Sequence, residues 1–208
     1  MQLLKFIVEG FRSPGAWVMW IILIMAFVIL GLIIERAWYL FLKCGTNTGS
    51  FMSGISKYLK AGDYEKAIQY ASSVNTPLAK GITVILQSRG KGAKAVQKAV
   101  DEVFLTETPK VSRNLSLLST LANLATLLGL TGTIMGLMIA FDAIANVPAA
   151  QRAQALATGI SVAMSTTLFG LIVAVPTILA HGVLATKSDK VIEEMDEKTA
   201  KLINLVEE

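Results

Sequence analysis

Hydroxyl side chains stand at helical spacing inside stretches of this chain that carry no charge. Within residues 114–141, Ser116, Ser119, Thr120, Asn123, Thr126 and Thr133 fall in one arc of about 140° on a helical wheel. Gly129, Gly132 and Gly136 occupy the neighbouring arc, and Gly132-x-x-x-Gly136 is a pattern that lets helix backbones approach closely. Within residues 153–186, Thr166, Thr167, Gly170, Thr177 and His181 share an arc of about 100°, with Thr158, Ser161 and Ser165 opposite. Hydroxyls in an apolar helix either bond neighbouring helices together or line a path for an ion or polar solute. Periodicity alone leaves both open. Neither stretch contains Asp, Glu, Lys or Arg. If protons move along these hydroxyls, another molecule must bring the titrating group. An isolated His181 reads as a hydrogen-bonded packing residue.

The elements that hold these groups must cross a membrane. Of the 208 residues, 53% are hydrophobic and 16% charged, a more apolar and less charged balance than a soluble domain carries. Three charge-free runs, residues 16–34, 114–141 and 153–186, each have the roughly 20 residues a bilayer requires. The second and third overshoot, so their helices should tilt or project beyond it. Pro176 should bend the third. The first run is too long for a signal-peptide core and is followed by Glu35-Arg36 in place of a small-residue cleavage site. Trp17, Trp20, Trp38 and Tyr39 flank it as interfacial aromatics do.

Lysine and arginine set the orientation. Eleven lie in residues 43–113, and Lys187, Lys190, Lys198 and Lys201 follow the third run, against Arg152 alone in the short link and Lys5 and Arg12 at the N-terminus. The positive-inside rule then puts the N-terminus and the short link outside, and the long middle segment and C-terminal tail in the cytoplasm. The predicted fold is an all-α membrane protein with three transmembrane helices, N-out and C-in, whose long helices extend into a helical cytoplasmic domain. Its divisions are an outer N-terminus and first span (1–42), a cytoplasmic helical domain (43–113), a second span (114–143), a short periplasmic link (144–152), a third span (153–187) and a cytoplasmic C-terminal helix (188–208). The net charge of +4 reads as topology. Scattered among acids, it is no nucleic-acid footprint.

In the cytoplasmic segment Asp63 reads as a helix N-cap, and Thr76-Pro77 as cap and first helical residue of another helix. That helix stops near Gly90 and Gly92. From Ala93, Val96, Val100, Val103 and Phe104 recur at helical spacing. This helix points straight at the second span, so one long rod is expected, kinked at most by Pro109. The tail should be an amphipathic continuation of the third span through Val191, Met195, Leu202 and Leu205. Cys44 is a lone cysteine with no ligand companions. No phosphate loop, catalytic constellation, metal set or cofactor motif is present, and an enzyme is not expected.

LGLTGTIMG at residues 128–136, followed by GISVAMSTTLFGLIVAVP at 159–176, resembles the paired signature blocks of the MotA/TolQ/ExbB proton-channel family. The three-span layout with its large segment after span one resembles the ExbB/TolQ branch. The resemblance implies a homopentamer around a dimer of ExbD/TolR-like single-span proteins, in the lipid of a bacterial inner membrane, with the partner's intramembrane Asp as the missing titrating group. It implies channel roles for Thr133 and Thr167, with Thr166 beside them, and a motor that spends the ion-motive force on work across the envelope. Helix packing falls to Gly129, Gly132, Gly136 and Pro176. The chain departs from the family in having Val162 where a glutamate is common, and Ala125-Thr126 where a proline often precedes the glycine block. The competing reading is a membrane scaffold whose polar seam only packs helices.

Overall fold

The computed structural model describes residues 7–8, 10–11, 16–45 and 48–207. Lys5 and Arg12, the N-terminal cations of the topology reading, lie outside them. The described chain is helical throughout. Helix α1 spans Ala16–Ala37 and runs into a π-helical turn, Trp38–Lys43. Helices α2 (Thr48–Lys60), α3 (Tyr64–Ser73), α4 (Pro77–Gln87) and α5 (Ala93–Val111) follow. Then come α6 (Leu115–Asn146), a 3₁₀ turn (Ala149–Gln151) and α7 (Arg152–Glu207). Three of these helices are long and apolar enough to cross a membrane.

The helix starts follow from side chains that satisfy backbone N–H groups left without partners at a helix's first turn. Asp63 accepts a hydrogen bond from the backbone N–H of Lys66 at 3.4 Å and opens α3. The Thr76 hydroxyl accepts from Ala79 N–H at 3.2 Å, with Pro77 in the first turn of α4. Gly90 (φ 78°) and Gly92 (φ 87°) take the left-handed conformation between α4 and α5.

The rod expected between the cytoplasmic helix and the second span is interrupted. Helix α5 ends at Val111, and α6 starts at Leu115 after Asn114 with φ 61°. Asparagine tolerates this left-handed conformation better than most side chains, and it ends one run of helical hydrogen bonds before the next begins. Pro109, where a kink was expected, lies inside α5 two residues before its end.

The chain condenses into two compact units, one within residues 1–33 and 115–182, the other formed by residues 34–114 and 183–208. In the first, Val18, Met19 and Ile22 of α1 are fully buried. Phe11 meets Trp20 and Phe169 edge-on at 5.2 and 5.4 Å between ring centroids. The outward faces are apolar: Ile24, Phe27, Leu130, Ile134, Met138, Met164, Leu179 and others are exposed. An apolar surface of that extent suits lipid and not water.

The second unit has its own core of Ile55, Ala67, Ile82, Ile85, Val96, Val100 and Met195. Phe51 stacks on Tyr70 at 5.6 Å. The tail of α7 buries Val191, Met195 and Leu202 in this core, but Leu205 is 55% exposed. Thr199 and Ile203, both buried, continue the stripe in its place. At about 100° per residue Ile203 and Leu205 lie at equal angles to either side of Met195, and the side that Thr199 shares with Ile203 is the one that is buried.

Candidate ion pathway

Within the first unit, α6 and α7 meet along small residues. Ala122, Ala125, Gly129, Gly132, Gly136 and Ala140 are all buried on α6. A methyl in place of the Gly132 hydrogen would lie 2.1 Å from Thr166 Cγ2, and one on Gly136 would lie 2.8 Å from Ala163 Cα. From the other side, a methyl on Gly159 would lie 2.2 Å from Ala140 Cβ, and one on Gly170 would lie 2.7 Å from the Ala125 carbonyl oxygen. The pairs 129–170, 132–166, 136–163 and 140–159 run in opposite directions along the chain, so the helices are antiparallel. Gly159, Ala163, Thr166 and Gly170 form the matching stripe on α7. Sequence reading picked out three glycines of α6 for packing and did not extend the stripe to Gly159. The signal was there in the i, i+4, i+7, i+11 recurrence of small residues.

The hydroxyls are placed by this contact. Ser116, Thr120, Asn123 and Thr126 lie on the exposed face of α6, and Ser119 and Thr133 are half-buried. Thr120 donates to the Ser116 carbonyl at 2.9 Å, Thr126 to Ala122 at 3.4 Å and Thr133 to Leu130 at 2.6 Å. Thr167, half-buried on α7, reaches across to the Gly129 carbonyl of α6 at 2.9 Å. Gly129 and Leu130 are consecutive, so the hydroxyls of Thr133 and Thr167 hang from adjacent carbonyls of one turn. A hydroxyl that donates in this way keeps its oxygen lone pairs as acceptors.

Thr166 is different. It is 2% exposed, its methyl faces Gly132, and its hydroxyl donates to Val162 on its own helix at 3.1 Å. Ser165 is equally buried and donates to the Ser161 carbonyl at 2.9 Å. Two successive positions of α7 are therefore buried at this level, between the exposed Met164 and the half-buried Thr167. Helix α7 continues through Pro176. Pro176 withholds the N–H that would have bonded Ile172, and the buried Thr177 hydroxyl donates to the next carbonyl, that of Val173, at 2.6 Å. His181 is half-buried.

Toward the link between α6 and α7, a cavity of about 420 Å³ is lined by Gly136, Ala140, Val147, Gln151, Thr158 and Val162, among others. Val162 faces an apolar space, where a carboxylate would be costly to ionise. Among the described residues, no group of three or more His, Cys, Asp or Glu side chains converges as a metal would require.

A family model, that of the MotA/TolQ/ExbB proton channel family, matches residues 70–197, well over half the chain. The chain belongs to this family. It is 28% identical over 193 residues to a biopolymer transport ExbB homolog of Methanothermobacter thermautotrophicus, covering 91% of this chain and 67% of that one. It is 25% identical over 189 residues to the biopolymer transport protein exbB1 of Vibrio cholerae, covering 89% and 82%. With the Tol-Pal system protein TolQ of Pseudomonas aeruginosa it shares 30% identity over 99 residues, covering 48% and 42%. The MotA/TolQ/ExbB chain described here is accordingly a multi-pass membrane protein of the ExbB/TolQ-like branch. Its matched region contains the whole small-residue contact and both threonines at the Gly129–Leu130 turn.

Proposed function

We propose that this chain is the ion-conducting subunit of an inner-membrane motor, five copies enclosing a dimer of ExbD/TolR-like single-span proteins that each bring one intramembrane Asp. The observation that carries this reading is the pair of hydroxyls at one turn, Thr133 on Leu130 and Thr167 on Gly129, within runs 114–141 and 153–186 that contain no carboxylate of their own. ExbB and TolQ relatives support an energising complex over a solitary channel.

The hydroxyl orientations give the pair a preference. As placed, both oxygens are acceptors, so a protonated partner Asp can donate to them with no rearrangement. An ionised Asp needs donors, and a threonine can supply one only by giving up its carbonyl bond, at about 1 kcal/mol. An unpaired charge in an apolar seam costs more still. The loaded Asp is therefore held in the seam and the unloaded Asp is driven toward water. Each proton passing through releases about 2.3 kcal/mol per 100 mV, the energy available for turning the inner dimer. A sodium ion would use the same lone pairs as ligands.

The test is native mass spectrometry of the complex purified from its own membranes, alongside Thr133→Val and Thr167→Val. Five copies plus two Asp-bearing single-span chains, with both valine variants assembling normally and losing ion-dependent work, is the expected result. Loss of assembly in step with loss of work would transfer the seam to helix packing and make the chain a scaffold. Replacing sodium with potassium at constant proton gradient separates the two ions.

A further inference from the structure

The second unit holds a cation-rich cavity that the ion pathway does not use. It measures about 250 Å³ and gathers Arg36, Lys43, Lys80, Lys110 and Arg113 around Tyr39 and Glu107. These residues come from three separate parts of the chain: the end of α1 with its π-helical turn, the first turn of α4, and the end of α5 with the residues just after it. Lys80 and Lys110 share one oxygen of the buried Glu107, at 2.9 and 2.7 Å. Arg36 is 3% exposed; it pairs with Glu35 and donates to the Lys110 carbonyl at 3.1 Å. Its guanidinium and the Lys43 ammonium both lie over the Tyr39 ring, at 5.1 and 5.4 Å from its centre.

Five cations face two carboxylates, Glu35 and Glu107, leaving a surplus of three positive charges. Among the described residues neither Lys43 nor Arg113 forms an ion pair. Lys43 and Arg113, beside an Arg36 fixed by Glu35 and the Lys110 carbonyl, are donors for phosphate oxygens. Its place in the sequence sets the depth. Arg36 is the second residue after the first charge-free run, and Arg113 directly precedes the second. The π-helical turn that carries Lys43 also presents Trp38 (66% exposed), Phe41 (49%) and Leu42 (67%) on its outside. Charge within and apolar surface without is the arrangement of an anionic headgroup whose acyl chains lie alongside.

We propose that this cavity binds the phosphate of an anionic phospholipid of the cytoplasmic leaflet, one per chain. The lipid then ties the end of the first span to α4 and α5. The site is independent of the ion pathway and of the partner's Asp, and rests on the cytoplasmic placement of this segment.

The complex is purified in mild detergent, stripped of lipid and titrated with phosphatidylglycerol or phosphatidylcholine under native mass spectrometry. Phosphatidylglycerol is expected to bind at one per chain and at least tenfold more tightly. Lys43→Gln with Arg113→Gln, both on exposed side chains, should weaken it by about fivefold per charge removed, roughly 25-fold together, with the oligomer unchanged. Equal binding of the two lipids, or no effect of the double variant, overturns the proposal. Inorganic phosphate added as competitor distinguishes the source: displacement of the lipid at equal concentration would make this a site for free phosphate and overturn the lipid assignment.

Discussion

Gly136 and Gly31 both lie inside long apolar helices, yet a methyl group at the two positions meets different surroundings. At Gly136 it would press on the Cα and N of Ala163 at 2.8 and 2.9 Å, backbone atoms that no rotamer change can move aside. At Gly31 nothing stands within 4 Å. Gly136→Ala should therefore cost about 1–3 kcal/mol by overpacking, while Gly31→Ala should stay within about 0.5 kcal/mol of the parent. Gly129→Ala, with its nearest atom at 3.2 Å, should fall between. Thermal unfolding of the three variants in one detergent checks the order, and equal losses at Gly31 and Gly136 would refute it. The threonine pair belongs to the same scale: Thr167→Ser keeps the hydroxyl and should retain ion-dependent work where Thr167→Val loses it.

Between elements, Glu107 joins α5 to α4. Burial alone would push its carboxyl up, but hydrogen bonds from Lys110 and Lys80 outweigh this and hold it below the usual carboxylate range. A carboxyl with a lowered pKa in the folded state adds stability that is present above its unfolded pKa and lost as pH falls through the folded one. The second unit should therefore weaken on acidification below about pH 4.5. Glu107→Gln should remove its share of that acid dependence, and at neutral pH it should cost about 1–2 kcal/mol from lost charged hydrogen bonds to partly exposed lysines. Melting midpoints of parent and variant between about pH 3 and pH 7 measure both effects. Curves that stay parallel would mean that the carboxyl titrates alike in folded and unfolded chains.

For the molecule as a whole, the asymmetry of lysine and arginine predicts which surfaces face the cytoplasm. In a Cys44→Ser background, Ala149→Cys in the exposed 3₁₀ turn should react with a membrane-impermeant maleimide on intact cells stripped of their outer barrier. Lys60→Cys, at the end of α2, should react only after lysis. The opposite pattern would invert the topology and place the cation-rich cavity at the other leaflet.

Much of the architecture was legible because it depends on local chemistry. Whether a stretch of about 20 residues prefers lipid is a sum over its own side chains, so three spans were readable. Asp63 and Thr76 mark helix starts because a cap bonds a backbone N–H only three residues away. The paired glycine–threonine blocks identified the family from their order and spacing. Other features depend on register between distant segments. Thr166 and Thr167 are neighbours in sequence and share one arc, but only the antiparallel fit of α7 against Gly129 and Gly132 turns one hydroxyl to another helix and closes the other within its own. The same holds for the tail, where packing selects Ile203 over Leu205, and for the break at Asn114, where α5 and α6 part within an otherwise helical pattern. Lys80 lies 44 residues from Arg36 in sequence, and only the packing of α4 beside the end of α1 makes them walls of one cavity. Solvent preference and capping act over one or two turns and are written in sequence. Contacts between residues far apart in sequence follow from the packing that buries the small-residue faces of α6 and α7 and the core of the second unit, which the tertiary structure alone decided.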